Sequence, residues 1–588
     1  MRTPLDTIPP NSTALVNQEL LSADPDEVEI IEDAWLPAKL RPRLVAALLA
    51  VLGVTFFFGL GRLALIGPDE PRYAEVAREM FVSGDYVSPR LCDCLWFEKP
   101  VLYYWMASAA YRLFDVGEFA ARFPSAFAAT AVMILMFTVF RRLFSLGFAF
   151  VVSLVLITSG MIIGFARAAT PDMTLTACMS FALIWGYLFA GASGRARFCY
   201  LALCSAAAGL AVIAKGLVGI VLVAAVLFAY LLITRQLTRI SWYEPLVGLT
   251  VFAAVALAWY APVTMKHGWH FINDFFIDHH FKRYTVDKYG HPQPVYFYLF
   301  IALAGVLPWT FYIIPAVRRS FRLRPRGSRL DSLLTLAWLW LLIPLIFFSF
   351  SQSKLPGYAL PVFPALAIIV GAEVHRAWAG EKTRPLRSAG WITSGLLVAL
   401  GIGFVIYMVR EAPRPGVPGL LLIAAPLVCA ALALLALVKG KRNALIAGAP
   451  SVVGAIIIAT VTLLFPKMSE DYTTKQLSLY TLQYLRPGER IAFYVMKEYG
   501  PVFYADGRVV CGVGNRSTLN ALDPRKLDPV LEADSSMVVF TTLNWLHHLE
   551  KDPRFELEPI GFQRDVLAIR LRPKQEELLP QPPIINAP

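Results

Sequence analysis

Long apolar runs recur along this 588-residue chain. Thirteen of them have the length that crosses a bilayer as a helix, about 17 to 25 residues. They lie near 44–66, 122–144, 146–165, 173–192, 198–214, 216–234, 245–264, 294–317, 332–350, 357–379, 391–409, 418–438 and 443–465. In lipid every backbone polar group needs a partner, and a helix provides one within each run. The sequence therefore predicts an all-α membrane domain over residues 41–465, with about 13 transmembrane helices.

The composition excludes a soluble multidomain enzyme. Hydrophobic residues make up 57% of the chain and charged residues only 16%, against about 25% charged in ordinary soluble domains. The net charge of +12 does not indicate a nucleic-acid partner, because the basic residues lie in short loops between apolar runs, without a nucleic-acid-binding motif. We interpret them as orientation signals and as contacts to anionic membrane lipids.

Basic residues in the short connections predict the orientation of the chain. With the N-terminus in the cytoplasm, the short inside connections hold 22 Lys and Arg residues and the short outside connections hold five. Residues 1–40 are then a cytoplasmic tail, since the first 34 contain eight acids and only Arg2 as a base, unlike a signal peptide. Two loops, 67–121 and 265–293, fall outside. Residues 466–588 also fall outside, and their strand-like and helical runs predict a small soluble α/β domain.

A charged helix is predicted directly after the first apolar run. Asp69 is a candidate N-cap, Pro71 suits the first turn, and Gly84 suits the end of a helix of about four turns. The backbone N–H groups of such a helix start can bind an anion such as a phosphate.

Further along the same loop, Glu98 and Lys99 lie among five aromatic residues, within residues 96–105. An interfacial aromatic belt with a solvated ion pair is one interpretation, and a reactive site is the other. The loop 265–293 carries the pair His279 and His280, for which metal binding, base catalysis and a plain surface role all remain open.

Three shorter segments add charges at the outer ends of the apolar runs. Arg167 and Asp172 flank a short turn, where Asp172 is either a helix cap or a functional acid. Lys215 lies between two apolar runs, where a charge is costly and is usually functional. Residues 351–361 contain Lys354 and are interrupted by Pro and Gly, which indicates a cavity lining. All these clusters are external in the predicted orientation, so we expect them to converge on one site, whose cations suit a phosphate.

Several of these motifs together resemble the bacterial lipid A 4-amino-4-deoxy-L-arabinose transferases. The resemblance rests on Asp69-Glu70, on Arg72-Tyr73-Ala74-Glu75, on Phe97-Glu98-Lys99-Pro100 and on Ser353-Lys354-Leu355-Pro356-Gly357-Tyr358. That family belongs to the GT-C glycosyltransferases, which include the protein O-mannosyltransferases and the oligosaccharyltransferases. The likeness covers roughly residues 40–465.

The resemblance implies an inverting glycosyltransferase in the bacterial inner membrane. It implies transfer of 4-amino-4-deoxy-L-arabinose from undecaprenyl phosphate to lipid A phosphates at the periplasmic face, and so polymyxin resistance. We expect the enzyme to act as a monomer. By this resemblance, Asp69 and Asp172 correspond to the two catalytic acids of the family. Arg72, Lys99 and Lys215 correspond to ligands of the carrier phosphate. We also assign substrate binding to Tyr73, Arg167, Lys354 and Tyr358.

No cofactor is expected to be obligatory. A divalent metal such as zinc is considered at Glu98 and His279, an acid and an imidazole on facing external loops, because oligosaccharyltransferase relatives use a metal. The sequence departs from the family at Cys92-Asp93-Cys94, where relatives more often have an Asn-Gly-type turn. Cys92 and Cys94 are too close in sequence for an unstrained disulfide with each other.

Two alternatives remain open. A related transferase that modifies protein or another glycan shares the same fold, and the acceptor-side residues do not separate it from the first hypothesis. A lipid transporter or flippase is less favoured, because a transporter places ionisable groups near the middle of the bilayer. Here the middle portions of the apolar runs carry almost no charge.

Overall fold

The computed structural model describes residues 36–275, 293–412, 416–496, 499–510, 520–521, 527 and 536–574. By its internal contacts the chain divides into two compact units. The first, the membrane unit, comprises the described residues up to Arg62 together with Phe97–Phe465. The second, the sheet unit, comprises Leu63–Trp96 and the described residues from Pro466 onwards. The predicted domain boundaries at residues 41 and 466 stay predictions.

The membrane unit is built almost entirely of helices. They are α1 (Arg41–Leu52), α3 (Leu102–Phe114), α4 (Glu118–Leu143), α5 (Leu146–Thr158), α6 (Gly160–Ala166), α7 (Asp172–Gly191), α8 (Gly194–Lys215), α9 (Val218–Ile233), α10 (Glu244–Ile272), α11 (Phe297–Gly305), α12 (Ile313–Ser320), α13 (Arg329–Ser349), α14 (Phe363–Ala379), α15 (Arg384–Glu411), α16 (Val417–Val438) and α17 (Ala444–Ala459). Helix α2 (Asp69–Ser83) belongs to the sheet unit.

Each of the thirteen apolar runs coincides with helical structure. Within the described residues, ten helices are long and apolar enough to cross a membrane, or up to twelve if each of two bent pairs is one span. The remaining run, Val218–Ile233, is a shorter apolar helix. The all-α membrane architecture is therefore confirmed, whereas the count of thirteen spans is not.

Two of the apolar runs are broken near their middle. Helices α5 and α6 meet at Ser159 with a bend of 66°, and the run from Phe297 to Ser320 bends by 112°. Pro308 lies in the second break, where it has no N–H to continue a helix. Helix α10 continues to Ile272, past the predicted end of its run at 264, with a non-helical break at Gly268. Residues 276–292, which include His279, lie outside the described residues.

The centre of the membrane unit is formed by helices that are buried on all sides. In the most apolar 18 residues of Asp172–Gly191 and of Pro356–Ala379, 83% and 94% of the residues are buried, whereas the figure for Glu244–Phe275 is 17%. Helix α5 packs against α14 with residues such as Val152, whose side chain lies close to the backbone of Gly371. Helices α7 and α14 therefore lie inside the bundle, where their ends can line a site, and α10 faces outward.

The sheet unit contains a short hairpin and a five-stranded sheet. The hairpin pairs β1 (Arg90–Leu91) with β2 (Cys94–Leu95). The sheet comprises β3 (Arg490–Tyr494), β4 (Asn520–Ala521), β5 (Met537–Thr542), β6 (Phe555–Gln563) and β7 (Val566–Pro573), in the order β4-β3-β5-β7-β6. Strands β3, β4 and β5 are parallel, and β5, β7 and β6 are antiparallel. The helices that accompany this sheet are α18 (Phe465–Tyr472), α19 (Lys475–Tyr484), α20 (Gly500–Tyr504) and α21 (Leu543–Glu550). The first residue of α18, Phe465, belongs to the membrane unit. The predicted α/β domain is confirmed.

The departure from the family at residues 92–94 forms the turn of the hairpin. Cys92 and Asp93 both have positive φ, 52° and 62°, as a tight two-residue hairpin turn requires. Cys92 is a free, buried cysteine, while Cys94 takes part in a disulfide. The expectation that these two cysteines do not pair with each other is confirmed.

Candidate active site

Asp172 and Lys215 form an ion pair at one end of the membrane unit. Asp172 is the first residue of α7 and Lys215 is the last residue of α8. The two helices pack together and are joined by a short turn, so the start of α7 lies beside the end of α8. The Lys215 ammonium donates a hydrogen bond to the Asp172 carboxylate, and the two side chains are only 12% and 15% exposed. The pair is therefore largely shielded from solvent.

Helix polarity favours both members of this pair. A carboxylate is stabilised at a helix N-terminus and an ammonium at a C-terminus. Asp172 makes no side-chain capping hydrogen bond to its own helix. The interpretation of Asp172 as a helix cap is therefore wrong, and its carboxylate is committed to Lys215.

The segment 351–361 completes this cluster. The Lys215 Nζ lies 5.1 Å from the centre of the Tyr358 ring, which is within the range of a cation–π contact. A Cβ added to Gly357 would lie 2.9 Å from the Asp172 Oδ1, so the backbone at Gly357 passes directly beside the carboxylate. Three segments that are distant in sequence thus meet at one carboxylate. We call Asp172, Lys215, Gly357 and Tyr358 the Asp172 cluster.

Two buried hydroxyls flank Asp172 in sequence. Within the described part of the chain, Thr170 Oγ1 and Thr174 Oγ1 have no hydrogen-bond partner. Buried hydroxyls almost always have one, supplied by protein or by ordered water. These two hydroxyls can therefore still form hydrogen bonds close to Asp172 in the sequence.

Glu98 and Lys99 form a second pair in the membrane unit. The Lys99 Nζ donates to the Glu98 Oε1 at 2.9 Å, and both side chains are nearly buried. The preceding Phe97 ring packs edge-on against His267 and Phe271 of helix α10, with ring centres 5.2 Å apart in each case. This aromatic packing anchors the segment that carries the pair.

Two of the predicted cations have backbone partners. The Lys354 side chain is buried and donates to the carbonyl of Ser351 at 2.7 Å. Arg167 donates to the carbonyls of Phe58 and Thr55, at 2.9 and 3.3 Å, where the first apolar helix ends. Both contacts hold the ends of helices in place.

In the sheet unit, Asp69 and Arg72 form a third pair. Asp69 is the first residue of α2, and its carboxylate accepts a hydrogen bond from Arg72 one turn later. The N-cap is Pro68, and no side chain caps the helix, so the expectation that Asp69 is the cap is wrong. The expected end at Gly84 is confirmed, with φ of 69°. Asp69 is half exposed, at 50%, whereas the predicted Tyr73 is buried.

Further along α2, two buried carboxylates have perturbed acidity. Burial raises the pKa of Glu75, against the opposing effect of its ion pair with Arg78. Burial also raises the pKa of Glu79 to about 7, helped by the nearby charge of Glu75 and opposed by two backbone hydrogen bonds. Those bonds come from the N–H groups of Cys92 and Asp93, so Glu79 holds the hairpin turn.

The described residues do not supply a metal site. Within the described ranges no group of three His, Cys, Asp or Glu residues is placed to hold an ion. Glu98, one of the two expected ligands, is paired with Lys99. The other, His279, lies outside the described residues, so the metal considered at Glu98 and His279 stays a prediction.

The structure therefore brings some of the predicted residues together within each unit. Asp172, Lys215 and Tyr358 meet in the membrane unit, Asp69 meets Arg72 in the sheet unit, and the convergence of all clusters on one site stays a prediction. Sequence reasoning missed Gly357 as the residue beside Asp172. The signal was present, because the Pro-Gly-Tyr sequence marks a segment where a backbone can approach closely.

Comparison with known proteins agrees with this architecture. The family model of dolichyl-phosphate-mannose-protein mannosyltransferases matches residues 98–265, the range that carries Glu98, Lys99, Asp172 and Lys215. The crystal structure of ArnT from Cupriavidus metallidurans bound to undecaprenyl phosphate superimposes with a TM-score of 0.72. The superposition has 25% sequence identity and covers 90% of this chain and 97% of that chain. The fold is that of the GT-C class of membrane glycosyltransferases, and the chain is a multi-pass membrane protein.

Sequence relatives identify the family within this class. The undecaprenyl phosphate-α-4-amino-4-deoxy-L-arabinose arabinosyl transferase of Edwardsiella ictaluri (strain 93-146) is 33% identical over 369 residues, which are 62% of this chain and 65% of the relative. The protein of the same name from Pseudomonas aeruginosa PAO1 is 31% identical over 383 residues, 63% of this chain and 67% of the relative. The match to the Edwardsiella protein thus spans slightly less than two thirds of that protein. The chain belongs to the undecaprenyl phosphate-α-4-amino-4-deoxy-L-arabinose arabinosyl transferase family.

Proposed function

We propose that this protein transfers 4-amino-4-deoxy-L-arabinose from undecaprenyl phosphate to a phosphate of lipid A, at the periplasmic face of the inner membrane. An acceptor phosphate oxygen forms a bond to the anomeric carbon of the sugar while the bond from that carbon to the carrier phosphate breaks. The bonding electrons leave with the carrier, which departs as undecaprenyl phosphate with one more negative charge. Attack opposite the leaving group inverts the anomeric centre.

The leaving phosphate needs positive charge in a place from which water is largely excluded. Lys215 has an ammonium in a nearly buried position beside Asp172 and Tyr358. A fixed cation in such surroundings stabilises developing negative charge far better than a solvated one does. In this proposal Lys215 binds the carrier phosphate, and Asp172 orients Lys215 and contacts the sugar or the acceptor.

Lys99 has the same role in the proposal. Its ammonium is nearly buried against Glu98, so a carboxylate holds it at a fixed position. Tyr358 contributes a phenol to the phosphate. Lys354 and Arg167, which hold helix ends through backbone carbonyls, support the shape of the binding groove and contribute positive charge to it.

Asp69, Arg72 and Tyr73 lie together on helix α2 of the sheet unit, and we assign their roles from the contacts they make there. Arg72 has a guanidinium suited to two-point contact with a phosphate, and we assign it to the carrier phosphate. Asp69 is the second acid. The acceptor phosphate is already anionic near neutral pH, so Asp69 positions the acceptor or stabilises positive charge on the sugar rather than removing a proton. Tyr73, buried in the same helix, supports the pair.

No step of this proposal passes through a metal ion. The one role that the proposal gives to Glu98 is its ion pair with Lys99. Exhaustive chelation followed by elemental analysis distinguishes a mechanism without a metal from one that needs a metal. Loss of activity that zinc restores would return Glu98 and His279 to the mechanism as metal ligands.

The observation that carries the proposal is the shielded Asp172 cluster in a chain of this family. The test is reconstitution of the purified protein with undecaprenyl-phosphate-linked aminoarabinose and lipid A, followed by mass spectrometry of the lipid A. Addition of one aminoarabinose to lipid A supports the proposal. Consumption of the donor only when a protein or another glycan is supplied would identify a different acceptor, and no consumption with any acceptor would exclude this donor.

A further inference from the structure

The Arg72 side chain lies against two aromatic rings of the sheet unit. Its guanidinium carbon is 5.7 Å from the centre of the Trp96 ring and 5.2 Å from that of the Tyr499 ring. Both distances are within the range of a cation–π contact. The two rings come from segments 403 positions apart in the sequence, one before the membrane helices and one after them.

The guanidinium is also fixed from its own helix. Arg72 Nε donates to the carbonyl of Pro68 at 2.9 Å, and its Nη2 donates to the Asp69 carboxylate. These contacts set the direction in which the side chain leaves α2, but they act on one edge of a planar group. Rings packed against a guanidinium restrict its remaining rotation, so fewer rotamers are lost when an anion binds.

Each ring is carried by a segment whose backbone is held in place. The backbone N–H of Trp96 donates to the carbonyl of Pro89, which ties this residue to the β1–β2 hairpin. Tyr499 directly precedes α20, and Tyr504 at the end of that helix accepts a hydrogen bond from the N–H of Leu65 at 2.7 Å. The N–H of Ala64 likewise donates to Ser469 at 3.0 Å. The C-terminal part of the chain therefore braces the segment that leads into α2.

We propose that Tyr499, together with Trp96, is a positioning residue for Arg72, through which the C-terminal α/β domain sets the affinity for the carrier phosphate. This inference rests on the proposed function, which assigns Arg72 to that phosphate. It gives the C-terminal domain a part in substrate binding that acts through Arg72. Neither ring needs to touch the substrate for this role.

The experiment compares variants that keep or remove the ring of Tyr499. Tyr499→Leu retains apolar bulk but has no π face, and we expect the full-length protein in detergent to bind undecaprenyl phosphate about three- to tenfold more weakly. Tyr499→Phe keeps the ring and should bind like the wild type. Tyr472→Leu is the matched control, because the Tyr472 ring makes the same kind of contact, with Arg564 at 6.0 Å, away from Arg72.

A double mutant separates positioning from general stability. In an Arg72→Ala background, Tyr499→Leu should cause no further loss of affinity, since the group it positions is gone. Equal loss in both backgrounds, or wild-type binding by Tyr499→Leu, would overturn the inference. Wild-type binding by Arg72→Ala itself would overturn the assignment of Arg72 in the proposed function, and this inference with it.

Discussion

The Lys215 ammonium donates to the Asp172 carboxylate across the packed ends of two neighbouring membrane helices. The two residues are 43 positions apart, and each stands at the helix end whose dipole favours its charge. Gly357 passes beside the same carboxylate, and the Tyr358 ring faces the ammonium. The pair is therefore the centre of a small, shielded cluster.

Loss of either charge should abolish most of the transfer activity. We expect Lys215→Met and Asp172→Asn each to lower the turnover number by about 100-fold or more, the usual effect of removing one group that stabilises charge in a transition state. Because the two groups act as a unit, the double variant should be no slower than the worse single variant. Rates of sugar transfer to lipid A in detergent measure this. Lys382→Met, at an exposed loop lysine, is the control and should match the wild type.

A methyl group at Gly357 should disturb Asp172 without changing any charge. In Gly357→Ala the new Cβ would lie 2.9 Å from the carboxylate oxygen, so the carboxylate or the backbone must move. A misplacement of about 1 Å at a reacting centre costs about 100-fold in rate, so we expect the turnover number to fall by up to that factor. Gly403→Ala is the matched control, since nothing lies within 4 Å of the added Cβ there. Equal turnover numbers in the two alanine variants would contradict a role for the close approach.

Asp69→Asn should remove activity while leaving the protein as stable as the wild type. The side chain is half exposed and caps no helix, so its charge contributes little to folding. If Asp69 orients the acceptor phosphate or stabilises charge on the sugar, the turnover number falls, whereas the melting temperature does not. Asp565→Asn, at an exposed acid of the same unit, should change neither. A purified Asp69→Asn protein that transfers sugar at the wild-type rate would show that the assigned role is wrong.

Lys99→Ala should weaken binding of the carrier. Hydrogen bonds to charged groups contribute about 1.5 to 3 kcal/mol, so we expect the affinity for undecaprenyl phosphate to fall by about tenfold or more. The change also leaves the nearly buried Glu98 carboxylate without its ammonium. Binding should therefore be measured in Glu98→Gln/Lys99→Ala as well, where the negative charge at position 98 is absent. Unchanged carrier affinity in both variants would remove Lys99 from the phosphate site.

Glu79 should make the stability of the protein fall as the pH rises. Its pKa is raised by burial from the ordinary 4.5 to about 7, so the folded state favours the protonated acid. The contribution is most favourable below about pH 4.5 and is lost as the pH rises through about 7, with a slope of at most about 1.4 kcal/mol per pH unit.

The measurement is the difference in melting temperature between the wild type and Glu79→Gln across pH 5 to 8. The variant cannot ionise, so it should gain stability relative to the wild type as the pH rises. Taking the difference cancels the titration of groups that both proteins share. Glu556→Gln, at an exposed position on β6, is the control, and a difference that stays flat with pH for Glu79→Gln would contradict the expectation.

The membrane architecture was predictable from the sequence because it depends on local chemistry. A bilayer requires each apolar run to satisfy its own backbone, so length and hydropathy locate a helix without knowledge of its neighbours. All thirteen runs are helical for this reason. Their lengths were less predictable, because a break such as that at Pro308 or Gly268 depends on how neighbouring helices pack.

The individual acids and bases were also visible in the sequence, because a charge beside an apolar run is costly and therefore conspicuous. Their partners were not visible. Asp172 and Asp69 both suit the start of a helix, and only the structure shows that each accepts from a cation instead of capping its helix. A local pattern identifies the residue that can cap, but it carries no information about a lysine 43 positions away.

The sequence by itself thus determined that the chain is an all-α membrane protein and where its membrane helices lie, since both follow from hydropathy, and it showed which charged residues stand beside those helices. The tertiary structure decided which of those residues meet. Lys215 reaches Asp172, Gly357 passes beside that acid, and Arg72 is flanked by Tyr499 and Trp96. Such contacts depend on the packing of helix ends and loops that are far apart in the chain, and packing is a property of the whole fold rather than of any segment.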